Sequence, residues 1–475
     1  FLVRRQWLHH ERLSYPVAQA TMSLIEDPRP GSRLPPVLCS RAFWIAGGIA
    51  FAIVVWRGLE AVFPGRMPFH FALEIELWRV IDAEPWWHGH GHWWVRQPTF
   101  YLTFIGLAFL VPLDISFSLW ACFLGQYLLT MWMRSSGWDV SSHHTKVFGF
   151  GSWTMLALLI VWLGRHYYWA VLTACVRRHR DPHVRAAVPY LYGVIAGMAL
   201  IAAWLIAHGA PVGAAVCMVG AFFGLLLVIA RGLAEGGIPL VVWPENINTV
   251  AFTTVGFGLP VAALLPLVLL GMVLTDPREA SLPYATTASH LADQVAAPPR
   301  RLAATMIAVA IVGAVIACAS TIWYAYAGSG HSDGYAPYWY ELDRLAWRTS
   351  DAPGRAAEVA AEHGTELTAF GIGALATAAT AVARMAFAWW PLHPLGLAFA
   401  LCYGAEQGWA SFMAAWLMKG LVLRYGGVGL YRRLVPAAIG LAVGEGAAVC
   451  AFAVAKILFT GWLGMPMAAY HSLPG

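Results

Sequence analysis

Long apolar stretches constrain the fold of this chain more than any other feature of its sequence. An α-helix needs about 20 mostly apolar residues to cross the hydrocarbon core of a bilayer. Uninterrupted candidates are Phe43–Trp56, Gly151–Leu172, Ala187–Ala207, Pro211–Ala230, Leu302–Ala325, Leu367–Trp389, Ala410–Leu423 and Leu434–Leu458. Their number predicts an integral membrane protein built from α-helices.

Three further apolar stretches are interrupted by residues that break helices. Tyr101–Trp132 contains Pro112 and Asp114, Ile247–Leu274 contains two glycines and a proline, and Pro391–Gly408 contains prolines and a glutamate. Broken helices at membrane depth occur where protein or a water-filled cavity satisfies the freed backbone groups. The predicted fold class is therefore all-α, a polytopic transmembrane helical bundle of roughly 10–12 membrane segments, some of them broken or re-entrant.

The composition agrees with this prediction and excludes other classes. The chain is 59% hydrophobic and 12% charged, whereas soluble domains are about 45–50% apolar and about 25% charged. The lipid bilayer is therefore the expected surrounding, and the 24 tryptophans suit membrane interfaces. A small net charge of +5, spread along the chain, argues against a nucleic-acid partner.

Clusters of basic residues predict the topology, because short cytoplasmic loops are enriched in Lys and Arg. We place the N-terminal segment and the loops Arg177–Arg185, Pro277–Arg301 and Arg424–Arg433 on the cytoplasmic side. The aromatic-rich loops 57–98 and 328–365 are then non-cytoplasmic. A count of crossings assigns one crossing to Tyr101–Trp132, as a long broken span, and a hairpin or re-entrant loop to Ile247–Leu274.

Residues 1–475 are expected to form a single transmembrane domain. The first residues of the chain, FLVRRQWLHHERLSYPVAQ, resemble the interior of a protein and do not begin with methionine. We therefore expect further residues upstream of Phe1.

An arginine and a glutamate in helical i,i+4 spacing, Arg231 and Glu235, stand at the end of an apolar run before a Gly-Gly-x-Pro break. Charges at membrane depth are costly unless they have partners, so such a pair faces a cavity or an internal seam. It is either a substrate- or proton-coupled pair, a structural staple between helices, or a pair at the cytoplasmic edge of the membrane. Asn246 and Asn248 add polar groups nearby.

Three short motifs carry a resemblance to known membrane proteins. They are ERLSYPVAQA at residues 11–20, ARGLAEGGIP at residues 230–239, and WWPLHPLGLAF with LRYGGVGLYRRLVPAAIGLAVGE in the C-terminal part. Together they resemble an uncharacterised family of large bacterial polytopic membrane proteins, distantly similar to the oligopeptide transporter superfamily. The resemblance implies a multi-pass protein of the bacterial inner (cytoplasmic) membrane. The Asn-Pro-Gly triplet of peptide-transporting members is not evident in this sequence, which argues against peptide as the substrate.

The predicted binding cavity combines three segments. From the first we select Glu11, Tyr15 and Gln19, from the second the Arg231–Asn248 region, and from the interrupted third Tyr403, Glu406 and Gln407. Lys419 lies near a helix end, where its side chain is expected to snorkel to the interface. Glu445, between two glycines, is explained equally well by close helix packing and by a proton relay.

Alternating histidines in the first aromatic loop, His88, His90 and His92, form a second candidate site. Imidazole groups suit zinc, copper and nickel, so the three residues could share a metal ion. The alternative is an ordinary turn at the membrane interface.

No nucleophile, paired-carboxylate, Walker, haem-attachment or dinucleotide-binding motif is evident, so neither enzymatic activity nor a cofactor is expected. We expect a secondary, ion-coupled transporter of a small organic solute or peptide-like substrate. The alternative is a non-transporting scaffold subunit of a larger membrane complex. A coupling ion belongs to the first hypothesis and complex partners to the second, while a homo-oligomer fits both.

Overall fold

The computed structural model describes residues 2–28, 32–81, 83–177, 180–238, 270, 281–295, 298–327 and 352–462. Its described part is helical, and we number the α-helices in chain order. They are α1 Pro16–Ile25, α2 Arg41–Val62, α3 His92–Arg96, α4 Leu102–Leu110, α5 Leu113–Ser135, α6 Ser142–Leu163, α7 Arg165–Val176, α8 Pro182–Ala207, α9 Val212–Arg231, α10 Ser281–Gln294, α11 Pro299–Ala327, α12 Ala352–Ala386, α13 Pro394–Phe399, α14 Tyr403–Leu421 and α15 Gly427–Lys456.

Eight helical stretches of the described residues are long and apolar enough to cross a membrane. One of them, Tyr403–Phe459, contains both α14 and α15. The chain reverses between these two helices at Gly427, whose φ of 63° lies in a region that glycine enters without steric cost. The all-α polytopic bundle expected from the sequence is confirmed.

The short helix α4 lies between α14 and α15 and runs parallel to the first and antiparallel to the second. Along α14, Tyr101 N donates to Ser411 Oγ (2.9 Å), while ten residues later Val111 O accepts from Lys419 Nζ (2.6 Å). Along α15 the order is reversed, because Thr103 N bonds to Glu445 whereas the Phe109 ring stacks against Tyr431. With nine residues, α4 is about 14 Å long, less than half of the hydrocarbon core.

Helix α5 runs in the direction opposite to α4. Its Phe117 ring lies 5.4 Å from Trp416, whereas Phe123 lies 6.2 Å from Trp409, so α5 is antiparallel to α14. The chain therefore turns back at Val111–Pro112, where Pro112 cannot donate a backbone hydrogen bond. The predicted break is present, but α4 and α5 form a hairpin.

The prediction that Tyr101–Trp132 crosses the membrane once is therefore wrong. We call the end of the bundle that carries residues 63–98 the lid end, and the opposite end, where α15 begins, the basic end. Helix α2 is parallel to α15, since Gly47 abuts Gly444 and Gly58 abuts Phe452, so it leads to the lid end. The hairpin of α4 and α5 brings the chain back to the lid end, where the last turns of α5 contact residues 86–90.

Helix α6 then leads the chain from the lid end to the basic end. It is parallel to α12, since His143 pairs with Glu366 (2.6 Å) and Ser152 Oγ donates to Gly373 O (3.1 Å). Near the other end of α12, Arg384 pairs with Asp114 in the first turn of α5. Two crossings, by α2 and α6, thus separate the first two basic segments. Segments on the same side of the membrane are separated by an even number of crossings. The additional crossing predicted for Tyr101–Trp132 would have made that number odd.

The interruption expected in Pro391–Gly408 is also present. The six-residue α13 ends at Phe399, and Ala400, Leu401 and Cys402 form a fully buried connection to α14. Helix α13 packs antiparallel to the end of α9, with Leu395 near Gly236 and Phe399 against Gly232. The other predicted hairpin, Ile247–Leu274, lies outside the described residues apart from Leu270.

Substitution of Gly444 tests the close contact between α2 and α15. A Cβ atom there would lie 2.2 Å from Gly47 O, so Gly444→Ala forces the two helices apart. Overpacking of this kind costs about 1–3 kcal/mol. We expect a lower apparent Tm of the detergent-purified protein in a thermal aggregation assay. Gly446→Ala is the matched control, because its Cβ would meet no atom within 4 Å; equal Tm values for both variants would contradict the assigned packing.

Candidate functional site

A buried arginine at the end of α9 is the centre of the candidate site. Arg231 is 7% exposed. The chain continues from it into a π-helical turn, Gly232–Gly236, which places Glu235 one turn later. Arg231 Nε donates to Glu235 Oε2 (2.5 Å), and Arg231 Nη1 donates to Glu11 Oε2. The ion pair expected from the i,i+4 spacing is present, and a second carboxylate from the N-terminal segment completes it.

The fourth member of the cluster is His393, which precedes α13 as its N-cap. Its Nε2 lies 3.4 Å from Glu235 Oε1, and its Nδ1 accepts from Leu395 N (3.2 Å). Because Nδ1 is occupied as an acceptor, the proton of the neutral imidazole belongs on Nε2, where it faces Glu235. The backbone of His393 is fixed in turn, since its N donates to Ser118 Oγ of α5 (2.7 Å).

The N-terminal segment is anchored on the π-helical turn by backbone contacts. Tyr15 N donates to Ala234 O (2.7 Å), and Ser14 Oγ donates to Glu235 O (2.9 Å). The indole of Trp7 is fully buried, with the Arg231 guanidinium 5.5 Å from its ring centroid. Glu11, Arg231 and Glu235 therefore belong to one site, although 220 positions separate Glu11 from Arg231.

Tyr15 and Gln19 lie beside this cluster with different roles. The buried Tyr15 ring stacks on His290 of α10, with centroids 4.5 Å apart. Gln19 is exposed, and its amide donates back to Ser14 O (2.5 Å). Gln19 thus faces away from the charged cluster because the helix α1 that begins at Pro16 turns its side chain outward. Asn246 and Asn248 lie outside the described residues.

The polar residues at the start of α14 face the lid. Glu406 Oε1 lies 3.1 Å from His90 Nε2, and both side chains are mostly buried. The Tyr403 ring is in edge contact with Trp94, while Gln407 is 5% exposed. The residues expected to line a single cavity therefore lie in two places, because α13 and the buried turn after it separate His393 from Glu406.

The lid, residues 63–98, is held on α5 and α14 by hydrogen bonds to its backbone. His90 N donates to Thr130 Oγ1 (2.9 Å), Tyr127 Oη donates to Trp86 O (2.8 Å), and Trp409 Nε1 donates to Trp94 O (2.9 Å). The histidine–carboxylate pair of His90 and Glu406 lies beneath this cover.

The three lid histidines do not converge on one point. His90 turns inward to Glu406, His88 Nε2 lies 3.7 Å from Glu84, and the His92 ring lies against Trp87 and Trp93. Burial lowers the pKa of His92. Within the described part of the chain, no three His, Cys, Asp or Glu residues are grouped so that they could hold a metal ion. The metal hypothesis for His88, His90 and His92 is not supported, because alternate residues of this irregular loop point to different neighbours.

Lys419 and Glu445 make contacts with α4 that the sequence did not predict. The prediction that Lys419 snorkels is wrong: it is 7% exposed, and its Nζ bonds to Val111 O at the end of α4. Glu445 is fully buried, and its Oε2 accepts from Thr103 N at the start of α4 (2.6 Å). A carboxylate at the N-terminus and an ammonium group at the C-terminus both complement the helix dipole. The signal in the sequence was a single charge within an apolar run, AAWLMKGLVL around Lys419 and LAVGEGAAV around Glu445.

Removal of the Lys419 ammonium group tests the anchoring of α4. Lys419→Met leaves Val111 O without its donor, and a buried hydrogen bond to a charged group is worth about 1.5–3 kcal/mol. We expect a lower Tm and faster amide exchange in residues 102–111, measured by hydrogen–deuterium exchange mass spectrometry. Lys456→Met, at an exposed position at the end of α15, is the control; unchanged exchange in α4 of the Lys419 variant would refute the anchoring role.

Comparison with known proteins places the chain in a family. No curated protein matches it. A family model described as "Family of unknown function (DUF6785)" matches residues 1–469. The match covers nearly the whole chain, including every residue of the charged cluster and of the lid. The chain therefore belongs to this family of unknown function.

Proposed function

We propose that this membrane protein is a secondary transporter for a small organic solute, coupled to an ion. The observation that carries the proposal is the Glu11–Arg231–Glu235–His393 cluster, located where a helix ends in a π-helical turn and another begins. In secondary transporters, substrate and coupling-ion sites are typically formed by discontinuous helices within the membrane. Charged residues at membrane depth are expensive and mark such pathways.

The half-helix α4 supports the same proposal. Its N-terminus meets Glu445 near the middle of α15, and its C-terminus meets Lys419. Half-helices with buried ends are costly in lipid unless other groups satisfy their backbone, and here two ionisable side chains do so. A protein with a purely passive role in the membrane does not require this arrangement. The distant similarity to oligopeptide transporters suggested by the motifs belongs to this proposal.

Transport is tested with the purified protein in liposomes that contain a pH-sensitive dye. Amino acids, short peptides, organic acids, sugars and nucleosides are added in turn, and solute-dependent proton uptake is measured. For the solute that gives a signal, Glu235→Gln should lower the initial rate at least about tenfold. Loss of a charge-assisted hydrogen bond is worth about 1.5–3 kcal/mol, and every 1.4 kcal/mol is a factor of ten.

The matched control is Glu76→Gln, because Glu76 is an exposed lid carboxylate paired with Arg79. It should transport at the wild-type rate. Wild-type transport by Glu235→Gln would exclude Glu235 from coupling. If labelled solutes show no uptake with either a proton or a sodium gradient, the transporter proposal fails.

A scaffold role is the second candidate, and helix α11 favours it. Its apolar stretch within Pro299–Ser320 has no buried residue, so this part of the helix is available to lipid or to another protein. If it serves a partner, the protein purified in mild detergent from its native membrane should migrate with that partner. Replacement of Ile307 and Ile311, both about 60% exposed, by tryptophan should release it. A lone chain in native membranes would count against the scaffold role.

A further inference from the structure

The charged cluster contains one carboxylate more than it has arginine side chains. Glu11 and Glu235 contribute two carboxylates and Arg231 one guanidinium, while His393 directs its Nε2 to Glu235 and its Nδ1 to Leu395 N. Arg231 is nearly fully buried, and the side chains of both glutamates are 16% exposed. An uncompensated charge at such a site is unfavourable, so the cluster has reason to hold one additional proton.

Among the residues that the structure describes, no neighbouring arginine or lysine supplies a second positive charge to the cluster. Arg4 pairs with Asp293 of α10 and Arg5 with Asp181 before α8. The groups that face the cluster from α7 and α10 are Tyr168 and, through its stack on Tyr15, His290. The remaining neighbours in the N-terminal segment, His9, His10 and Arg12, have their side chains turned towards the surface. Among the described residues, Arg231 is therefore the one arginine that pairs with the two carboxylates of the cluster.

Glu235 and His393 are poor places for the additional proton. Both oxygens of Glu235 already face donors, Oε2 the Arg231 Nε and Oε1 the His393 Nε2. A proton on either oxygen would turn that oxygen into a hydrogen-bond donor that faces another donor, Arg231 Nε or His393 Nε2. His393 Nδ1 accepts from Leu395 N, so a second proton on the ring would remove the cap of α13.

Glu11 differs because one of its donors can reverse. Its Oε2 receives Arg231 Nη1, whereas its Oε1 receives the side-chain amide of Gln6, at 2.9 Å. A glutamine side chain has an acceptor at one branch and a donor at the other. Rotation of the Gln6 amide by half a turn presents its oxygen to Glu11, so a protonated Glu11 can donate where it previously accepted.

We infer that Glu11 is the proton-binding residue of this site and that Gln6 is its switching hydrogen-bond partner. The proton forms an O–H bond on Glu11 Oε1, and the same oxygen then donates to Gln6 Oε1. The proton removes the negative charge of Glu11 from the cluster. The use of this proton as the coupling ion rests on the proposed transport function, but the presence of the proton does not.

Infrared difference spectroscopy of the full-length protein in lipid tests the inference without any transport assay. A pH jump should produce a carbonyl-stretch band of a protonated carboxylic acid that shifts in deuterated water. The band should be lost in Glu11→Gln, which carries a neutral side chain of the same shape. It should remain in Glu76→Gln, which removes an exposed carboxylate.

Two further variants decide which carboxylate carries the proton. Gln6→Leu should move the band to higher wavenumber, because the acid then loses its hydrogen-bond acceptor, whereas His393→Phe should leave its position unchanged. A band moved by His393→Phe and not by Gln6→Leu would place the proton on Glu235 and overturn the inference. A spectrum without a Glu11-dependent band would overturn it as well. Both outcomes are independent of whether a transported solute is found.

Discussion

The buried guanidinium of Arg231 holds together three parts of the chain that are far apart in the sequence. It bonds to Glu11 in the N-terminal segment and to Glu235 in the turn after α9, and Glu235 reaches His393 before α13. In a low-dielectric interior, a charge without partners is strongly unfavourable. Arg231 therefore stabilises this arrangement only while its carboxylates are present, and the positions of all three segments depend on one another.

The same constraint explains the short helix α4. Lipid offers no hydrogen bonds, so the ends of a helix that stops within the bundle need partners from the protein. Ser411 accepts from Tyr101 N just before α4, Glu445 accepts from Thr103 N in its first turn, and Lys419 donates to Val111 O just after its last residue. The glycines of α15 let α2 approach on the other side, since Gly444 has no room for a Cβ beside Gly47. Polar caps and bare glycine surfaces thus place a half-helix inside an otherwise apolar bundle.

Two polar regions in the described part of the chain are separated by α13. On one side lies the arginine cluster, and on the other the His90–Glu406 pair beneath the lid. Each region joins a segment of irregular backbone to the end of a helix.

Much of the fold followed from the sequence alone. Long apolar runs with few charges allow only membrane helices, and Pro112 and the Pro391–Pro394 region marked breaks that are present. The i,i+4 spacing of Arg231 and Glu235 was sufficient to predict their ion pair, because helix geometry brings such residues together. The family resemblance was correct as far as an uncharacterised family that covers the chain.

Only the tertiary structure decided which distant residues meet. Pro112 indicates a break, but not whether the chain continues or turns back; here the packing of α4 and α5 on α14 in opposite directions produces a hairpin. Likewise, the sequence suggested that Lys419 snorkels and that His90 binds a metal ion. The tertiary structure instead places Lys419 beside the end of α4 and His90 beside Glu406. Local sequence determines where a helix can form and which charges it carries. The distant partner of a buried charge is determined by packing, because it comes from a segment hundreds of residues away in the sequence, as Glu11 does for Arg231 and Val111 for Lys419.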